Sequence, residues 1–446
     1  MISIEQKKAA FDWLIDQAAK GTNALPIEAA QFSDSDWALL LESVANEHRL
    51  GIWQSIPQAL QSQVLAEMRG DARNLLASQL SSSSLNTLAR ESSSEDLIEI
   101  LDVLPNKTVA KIIKKLPAES QVQAEESLAY KESEIGRYAS KDVYTAISHA
   151  SVGAVLSELK EIDLPAYTDS ITLVNESGLY VGEVDLNAIF SAKPEQLMEN
   201  IIAANVQVIN AKASLINASD QVKSSGRSML PIVNDDNKLI GRFSLKDALD
   251  VFQEHYEAQL SHMGNVSDED LFAPTLLSAR RRAVWLGINL ITAFMASFVI
   301  GVFDQVVAQV VALAVLMPIV ASMGGITGSQ TLTLTIRGLA TNQLSQSNFK
   351  VLGKKEVQIA FLNGLLWASV VAIITGYWFD SLGLSLIIAF ALVINMAVAS
   401  FSGVIIPIIM DKMGIDPALA GSVVLTTVTD VVGFFVFLGS AAIILV

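Results

Sequence analysis

Asp430 lies near the middle of the apolar run from Ala418 to Val446, which holds no Lys or Arg to pair with it. In a helix rising about 1.5 Å per residue it would stand about 18 Å along that run, where insertion scales put the cost of a charge at roughly 2.5 to 3.5 kcal/mol. A cation offsets that cost, so the chemistry expected of this carboxylate is attraction of a positive ion. Thr426, Gly433 and Phe437 share its face at helical spacing, with Thr427 and Thr429 alongside. The structural alternative is an acid satisfied by those threonines or held protonated.

Two other clusters bear on the same chemistry. Met317-Pro318-Ile319-Val320 leads into Gly324-Gly325, followed by Thr327, Ser329, Gln330, Thr331, Thr333 and Thr335. So many hydroxyls and amides do not suit a helix face in lipid. They fit a cavity wall, with close packing through small residues as the alternative. Gly324, Gly325, Thr327 and Gln330 are therefore expected, with Thr426 and Thr427, to line a path beside Asp430. Asp247, Asp250, Glu254 and Glu257 follow the i, i+3, i+7, i+10 spacing of one helix face. Like charges crowded in this way either form a solvated face or take up a divalent cation, and they are the candidate regulatory metal ligands. His48, His149, His255 and His262 form no cluster at ligand spacing and read as surface residues, while Asn363, Asn395, Ser400 and Ser402 read as contacts between helices.

The elements that must hold these residues divide the chain into a soluble front and a membrane back. Of 446 residues 51% are hydrophobic and 17% charged, and the apolar residues concentrate in the last third. After Ala283 the bases are Arg337, Lys350, Lys354, Lys355 and Lys412, against Asp304, Glu356, Asp380, Asp411, Asp416 and Asp430. Nearly all of the net charge of −16 therefore belongs to the front, which argues against a nucleic-acid partner. With no Cys, disulfides and Cys-based zinc sites are excluded. The stretch Met1 to Ala19 mixes acids with Lys and has no long apolar core, so it does not read as a signal peptide.

Five apolar segments follow Arg280-Arg281-Arg282: Ala283 to Phe303, Val306 to about Ala340, Val357 to Phe379, Leu382 to Met410, and Ala418 to Val446. Each is long enough to cross a hydrocarbon core of roughly 30 Å. Basic residues mark the connections on one side, Arg280 to Arg282, Arg337 to Lys355 and Lys412; Asp304 and Asp380 mark the other. The positive-inside rule then predicts a multi-pass protein of the cytoplasmic (inner) membrane, lipid-embedded, with its N-terminus in the cytoplasm and Val446 outside.

Up to about Ala129 the chain reads as short helices punctuated by Ile56-Pro57, Leu104-Pro105 and Leu116-Pro117, a pattern that predicts an all-α superhelical stack. Ser81 to Ser84 and Ser92 to Ser94 are expected as turns or N-caps. Between Gly136 and Phe252 short β-rich runs alternate with helices. Ile171 to Val174, a turn at Asn175 to Gly178, and Tyr180 to Val184 recur roughly sixty residues later as Leu230 to Val233, Asn234 to Lys238, and Leu239 to Phe243. The second copy, Met229-Leu230-Pro231-Ile232-Val233 with Leu239-Ile240-Gly241 and Asp247, resembles a CBS domain; the first lacks the Pro. The resulting fold class is multidomain α and α/β. An all-α domain (1–132) precedes an α/β CBS pair (133–245), a connecting or plug helix (246–279), and a five-helix transmembrane domain (280–446).

This order, together with Met317-Pro318-Ile319-Val320 through Gly324-Gly325-Ile326-Thr327-Gly328-Ser329-Gln330, Arg337-Gly338-Leu339-Ala340, and Gly414-Ile415-Asp416-Pro417-Ala418 leading to Thr426-Thr427-Val428-Thr429-Asp430-Val431-Val432-Gly433, resembles the MgtE family of magnesium channels along nearly the whole chain. The resemblance implies a homodimer with a pore between subunits and Asp430 of both chains facing hydrated Mg²⁺, a divalent cation that would be both cargo and regulator. It further implies cytoplasmic domains that close the pore when internal Mg²⁺ is plentiful, and CBS modules of a kind that commonly bind adenine nucleotides or ions. The chain departs from the family pattern at Ile326, where members usually carry Asn, at Gly421-Ser422-Val423, where Ser-Gly-Pro is usual, and at Ala258 and Gln259, where acids are common. The competing expectations are a secondary transporter coupled to protons or sodium and a membrane-anchored sensor that conducts nothing. No nucleophile-base set or phosphate loop points to an enzyme.

Overall fold

Each proline that interrupts the N-terminal pattern stands immediately before a helix, where its missing N–H costs nothing. The helices are α1 (Ile4–Ala19), α2 (Asp34–Glu42), α3 (Asn46–Trp53), α4 (Gln58–Glu67), α5 (Gly70–Gln79), α6 (Ser82–Glu91), α7 (Ser94–Asp102), α8 (Asn106–Ile113) and α9 (Ala118–Leu128). Pro57, Pro105 and Pro117 are the N-cap residues of α4, α8 and α9. Ser81 and Ser93 accept from the amides of Ser84 and Asp96 to open α6 and α7, the role expected of those serines. One continuous core, with Trp37, Leu40, Leu65, Met68, Leu76 and Ile100 at its centre, holds the stack together. The computed structural model describes residues 4–20, 25–264, 266, 269–341, 343–345 and 347–445; Val446, expected to mark the outer terminus, lies outside them.

The two β-rich copies fold alike. In the first, β1 (Thr145–Ile147) pairs parallel with β2 (Ser170–Val174), which pairs antiparallel with β3 (Tyr180–Asp185); in the second, β4 (Ile209–Asn210), β5 (Met229–Val233) and β6 (Leu239–Ser244) repeat that topology. Even the register shift recurs, at Leu173/Val174 and at Ile232/Val233. Asn175 and Asn234 build equivalent turns, each side-chain oxygen accepting two backbone amides. Helices α10 (Val152–Leu159), α11 (Leu186–Ser191) and α12 (Leu215–Ser225) cover separate small cores, one per copy. The hairpins meet where the Tyr180 amide donates to the Asn237 carbonyl at 2.9 Å and Asn237 Nδ2 donates to the Tyr180 carbonyl at 3.0 Å.

The described chain divides into two compact units. Residues up to 257 together with 269–274 form one, and the remainder form the other. The connecting helix is shorter than expected: α13 (Leu245–Met263) ends well before 279, and α14 (Thr275–Val302) starts directly after Pro274. Arg280 to Arg282 consequently lie inside the first membrane helix rather than ahead of it. The run from Val306 to Ala340 is also not one helix, since α15 (Asp304–Gln309) is separated from α16 (Ala312–Ala340) by Val310 in a non-helical conformation (φ −125°, ψ 81°).

Helices α17 (Phe349–Phe379), α18 (Leu382–Lys412) and α19 (Pro417–Ile444) follow in the second unit, where among the described residues five helices are long and apolar enough to cross a membrane. The most enclosed of them, α18, buries Ile387, Ile388, Ala391, Leu392 and Ala399. Small residues permit the close approach. A Cβ at Gly403 would lie 2.8 Å from the Gly328 carbonyl, and one at Gly421 would lie 3.2 Å from Leu332.

Candidate ion path and connecting helix

Along α16 the exposed positions form a single stripe of Val315, Pro318, Ser322, Ile326, Ser329, Gln330, Thr333, Leu334 and Arg337, in which polar residues predominate from Ser322 onward. The helix runs unbroken through Pro318 and buries Leu316, Val320, Gly328, Leu332 and Ile336 on its opposite side. From Ser322 to Arg337 apolar residues face inward while mostly polar residues face outward, which reverses the arrangement that lipid favours, so this part of the stripe calls for water or another protein surface. Gln330 lies on this stripe. Gly325 has open space where a Cβ would be, and Thr327 is half-buried with Oγ1 donating to the Met323 carbonyl at 2.8 Å. Gly324 does not line the stripe: it is buried against Asn395, so its smallness serves helix packing. Ile326, 56% exposed, and Leu334, 45% exposed, are the apolar members of the stretch from Ser322 to Arg337.

Asp430 is half-buried on α19 and makes no hydrogen bond or ion pair among the described residues. The threonines that would satisfy it in the structural alternative bond backbone instead. Thr426 donates to Ser422, Thr427 to Val423 and Thr429 to Thr426, at 2.9, 2.8 and 3.0 Å. Thr426 is exposed and Thr427 half-buried. Gly433 and Phe437, grouped with Asp430 by helical spacing, are buried in the helix interface, so the outward part of that face is Thr426 with Asp430.

The four acids of α13 have separate environments. Asp247 accepts from the amide and hydroxyl of Ser244 at 3.1 and 2.7 Å, which ties it to the helix start. Asp250 stands 3.6 Å from Lys246, which also lies 3.4 Å from Glu67 of α4. Glu257 pairs with Arg69 at 3.2 Å and accepts from Gln253 at 3.0 Å. Glu254 has no such base: desolvation and then the charge of Glu99 on α7 push its carboxyl above the usual range, against a smaller opposing effect of Arg73. Among the described residues no three His, Cys, Asp or Glu side chains stand together as a ready-made metal group.

Three arrangements escaped the sequence reading. His262, expected as a surface residue, places Nδ1 2.6 Å from Oδ2 of Asp416, whose other oxygen accepts from the Ala418 amide at 2.8 Å to cap α19. The end of the connecting helix is thereby tied to the start of the helix that carries Asp430. Glu356 is buried in α17 with Thr331 Oγ1 donating to it at 3.5 Å, and Ser400 Oγ stands 3.3 Å from that threonine. Arg49, fully buried, donates through Nε to the Leu41 carbonyl and through Nη2 to Asp270, with Nη1 2.6 Å from the other carboxylate oxygen. No spacing rule could have found these pairs, because their members lie far apart in the chain.

Comparison with known proteins matches three parts of the chain in order. A family model described as the MgtE divalent cation transporter matches residues 317–440, one described as the MgtE intracellular N domain matches 33–133, and a CBS domain matches 198–254. The chain is 25% identical over 431 residues to the magnesium transporter MgtE of Thermus thermophilus, covering 95% of this chain and 96% of that one. It is 22% identical over 408 residues to the magnesium transporter MgtE of Bacillus subtilis, covering 91% and 90%. Among solved structures, the cytosolic domain of the Mg²⁺ channel MgtE in complex with ATP overlays with a TM-score of 0.47 at 19% identity, over 55% of this chain and 99% of that one.

Proposed function

The chain belongs to the MgtE family, and on that premise we propose that it carries Mg²⁺ across the cytoplasmic membrane as a homodimeric channel regulated by its cytoplasmic domains. The observation that carries this reading is Asp430, an acid without a protein partner among the described residues, on a membrane helix packed beside one whose outward stripe is mostly polar from Ser322 to Arg337. One Asp offers half the charge that a divalent ion needs. A twofold axis beside it would supply two carboxylates for two positive charges. Mg²⁺ sheds water reluctantly and is held through its waters by few acids with many neutral oxygens, which suits Asp430 with the hydroxyls and Gln330. Membrane potential drives entry, the N-terminus lies in the cytoplasm, and the CBS pair is the place for an adenine nucleotide. The relatives are transporters rather than enzymes.

Regulation follows from the unequal acids of α13. Because the docked surroundings raise the Glu254 carboxyl, the docked arrangement favours its neutral form: docking is strongest below the ordinary carboxylate range and weakens as pH rises through the raised value. A divalent cation shared with Glu99 would play the proton's part at neutral pH. Glu254→Gln should therefore lower flux at low internal Mg²⁺ by roughly fivefold, within the usual range of coupling between sites, and flatten its dependence on pH just above the ordinary carboxylate range. Salt screening limits the effect, since Glu254 keeps contact with solvent. Uptake in vesicles of set internal Mg²⁺ and pH measures both; unchanged inhibition would move the sensor elsewhere.

Glu356, buried between two hydroxyl-bearing helices with no ion pair among the described residues, favours a second reading in which a proton is exchanged for the divalent ion. Mg²⁺ uptake into vesicles containing the purified chain separates the two. The channel takes up Mg²⁺ with voltage alone. Uptake that vanishes when the proton gradient is collapsed at constant voltage would support exchange.

A further inference from the structure

Asn395 of α18 is 0% exposed and stands between α16 and α19. Its Nδ2 donates to the Val320 carbonyl of α16 at 2.9 Å, while Oδ1 has no partner among the described residues. Two glycines make the slot. A Cβ at Gly324 on α16 would overlap Nδ2, and a Cβ at Gly433 on α19 would lie 2.6 Å from the same atom. Gly433 follows Asp430 by three residues, close to one helical turn. A buried amide oxygen without a donor is costly, and Leu or Ala would serve a dry helix interface without that cost.

We infer that Asn395 is a positioning residue that sets the spacing and rotation of α19 against α16, and through them the place of the Asp430 carboxylate relative to the outward polar stripe. The inference rests on Asp430 facing the ion. Its consequence is selectivity: Mg²⁺ tolerates little departure from octahedral geometry, whereas Ca²⁺ accepts flexible shells. Loosening the amide wedge should therefore reduce Mg²⁺ flux more than Ca²⁺ flux.

The test is the ratio of Mg²⁺ to Ca²⁺ uptake by the full-length protein in vesicles, for Asn395→Ala, Asn395→Ser, Gly433→Ala and the double variant Asn395→Ala/Gly433→Ala. Each single substitution should lower the ratio about tenfold. The double variant should fall no further than Asn395→Ala, because no amide remains for the new methyl to displace. Asn395→Ser and Gly433→Ala carry the test if Asn395→Ala fails to fold. A wild-type ratio in the folded Asn395 variants, or effects of Gly433→Ala and Asn395→Ala that simply multiply, would overturn the inference. Asp430→Ala is the control on its premise. Flux retained there removes the ion-facing role and this inference with it, whereas flux lost there with a normal ratio in the Asn395 variants defeats the inference alone.

Discussion

Asp430→Ala is expected to reduce Mg²⁺ flux by about a hundredfold or more while leaving the protein folded. Even through an intervening water, attraction between a carboxylate and a divalent ion in a partly dry passage amounts to roughly 3 kcal/mol or more, and each 1.4 kcal/mol is a factor of ten in occupancy. A twofold pore would lose both carboxylates at once. The structure also separates loss of function from loss of fold. Asp430 makes no hydrogen bond or ion pair among the described residues, so its removal orphans no donor and relieves a charge held in an apolar helix. Vesicle uptake and size-exclusion chromatography on the same preparation check the two halves; normal flux in a folded variant would remove Asp430 from the ion path.

The second large effect is on stability. Arg49→Ala should destabilise the N-terminal unit by roughly 3 to 5 kcal/mol, because it leaves the Asp270 carboxylate buried without its cation. Arg49 and Asp270 are both almost wholly enclosed, and the Asp270 amide donates to Asp71 at 2.9 Å. The contact holds the segment that ends at Pro274, immediately before α14. Removing both partners, as Arg49→Met with Asp270→Asn, should recover most of the loss, since no uncompensated charge then remains. Denaturant unfolding of the full chain checks this; a single variant that unfolds with the wild type would mean the pair contributes nothing.

What could be read without coordinates was what local rules govern. The proline and serine starts of α4, α6, α7, α8 and α9 follow from one residue and its neighbours, and the paired Asn turns of the repeat are local too. The membrane helices follow from length and hydropathy, although the break at Val310 does not, because Val310 and Val311 carry no turn signal. Family membership rested on motif order, and matches in the same order support it.

The candidate site was only partly legible. Helical spacing placed Thr426 on the Asp430 face, but it could not say that Gly433 is taken up by Asn395 or that Gly324 faces the same amide. The acids of α13 looked equivalent at i, i+3, i+7 and i+10. Partners supplied by α4, α7 and Arg69 make them unequal, so neutralising all four together would mix effects of opposite sign. His262 with Asp416 and Arg49 with Asp270 join residues whose proximity exists only in the folded chain.

The most direct measurement for Mg²⁺ conduction is the reversal potential of the current carried by the purified chain in a planar bilayer, with a Mg²⁺ gradient and symmetrical pH and sodium. A Mg²⁺ channel gives a current whose reversal potential follows the Mg²⁺ gradient as a divalent ion requires and that disappears in Asp430→Ala. A bilayer that stays silent, or a reversal potential that ignores Mg²⁺ and moves only with an imposed proton or sodium gradient, would contradict it.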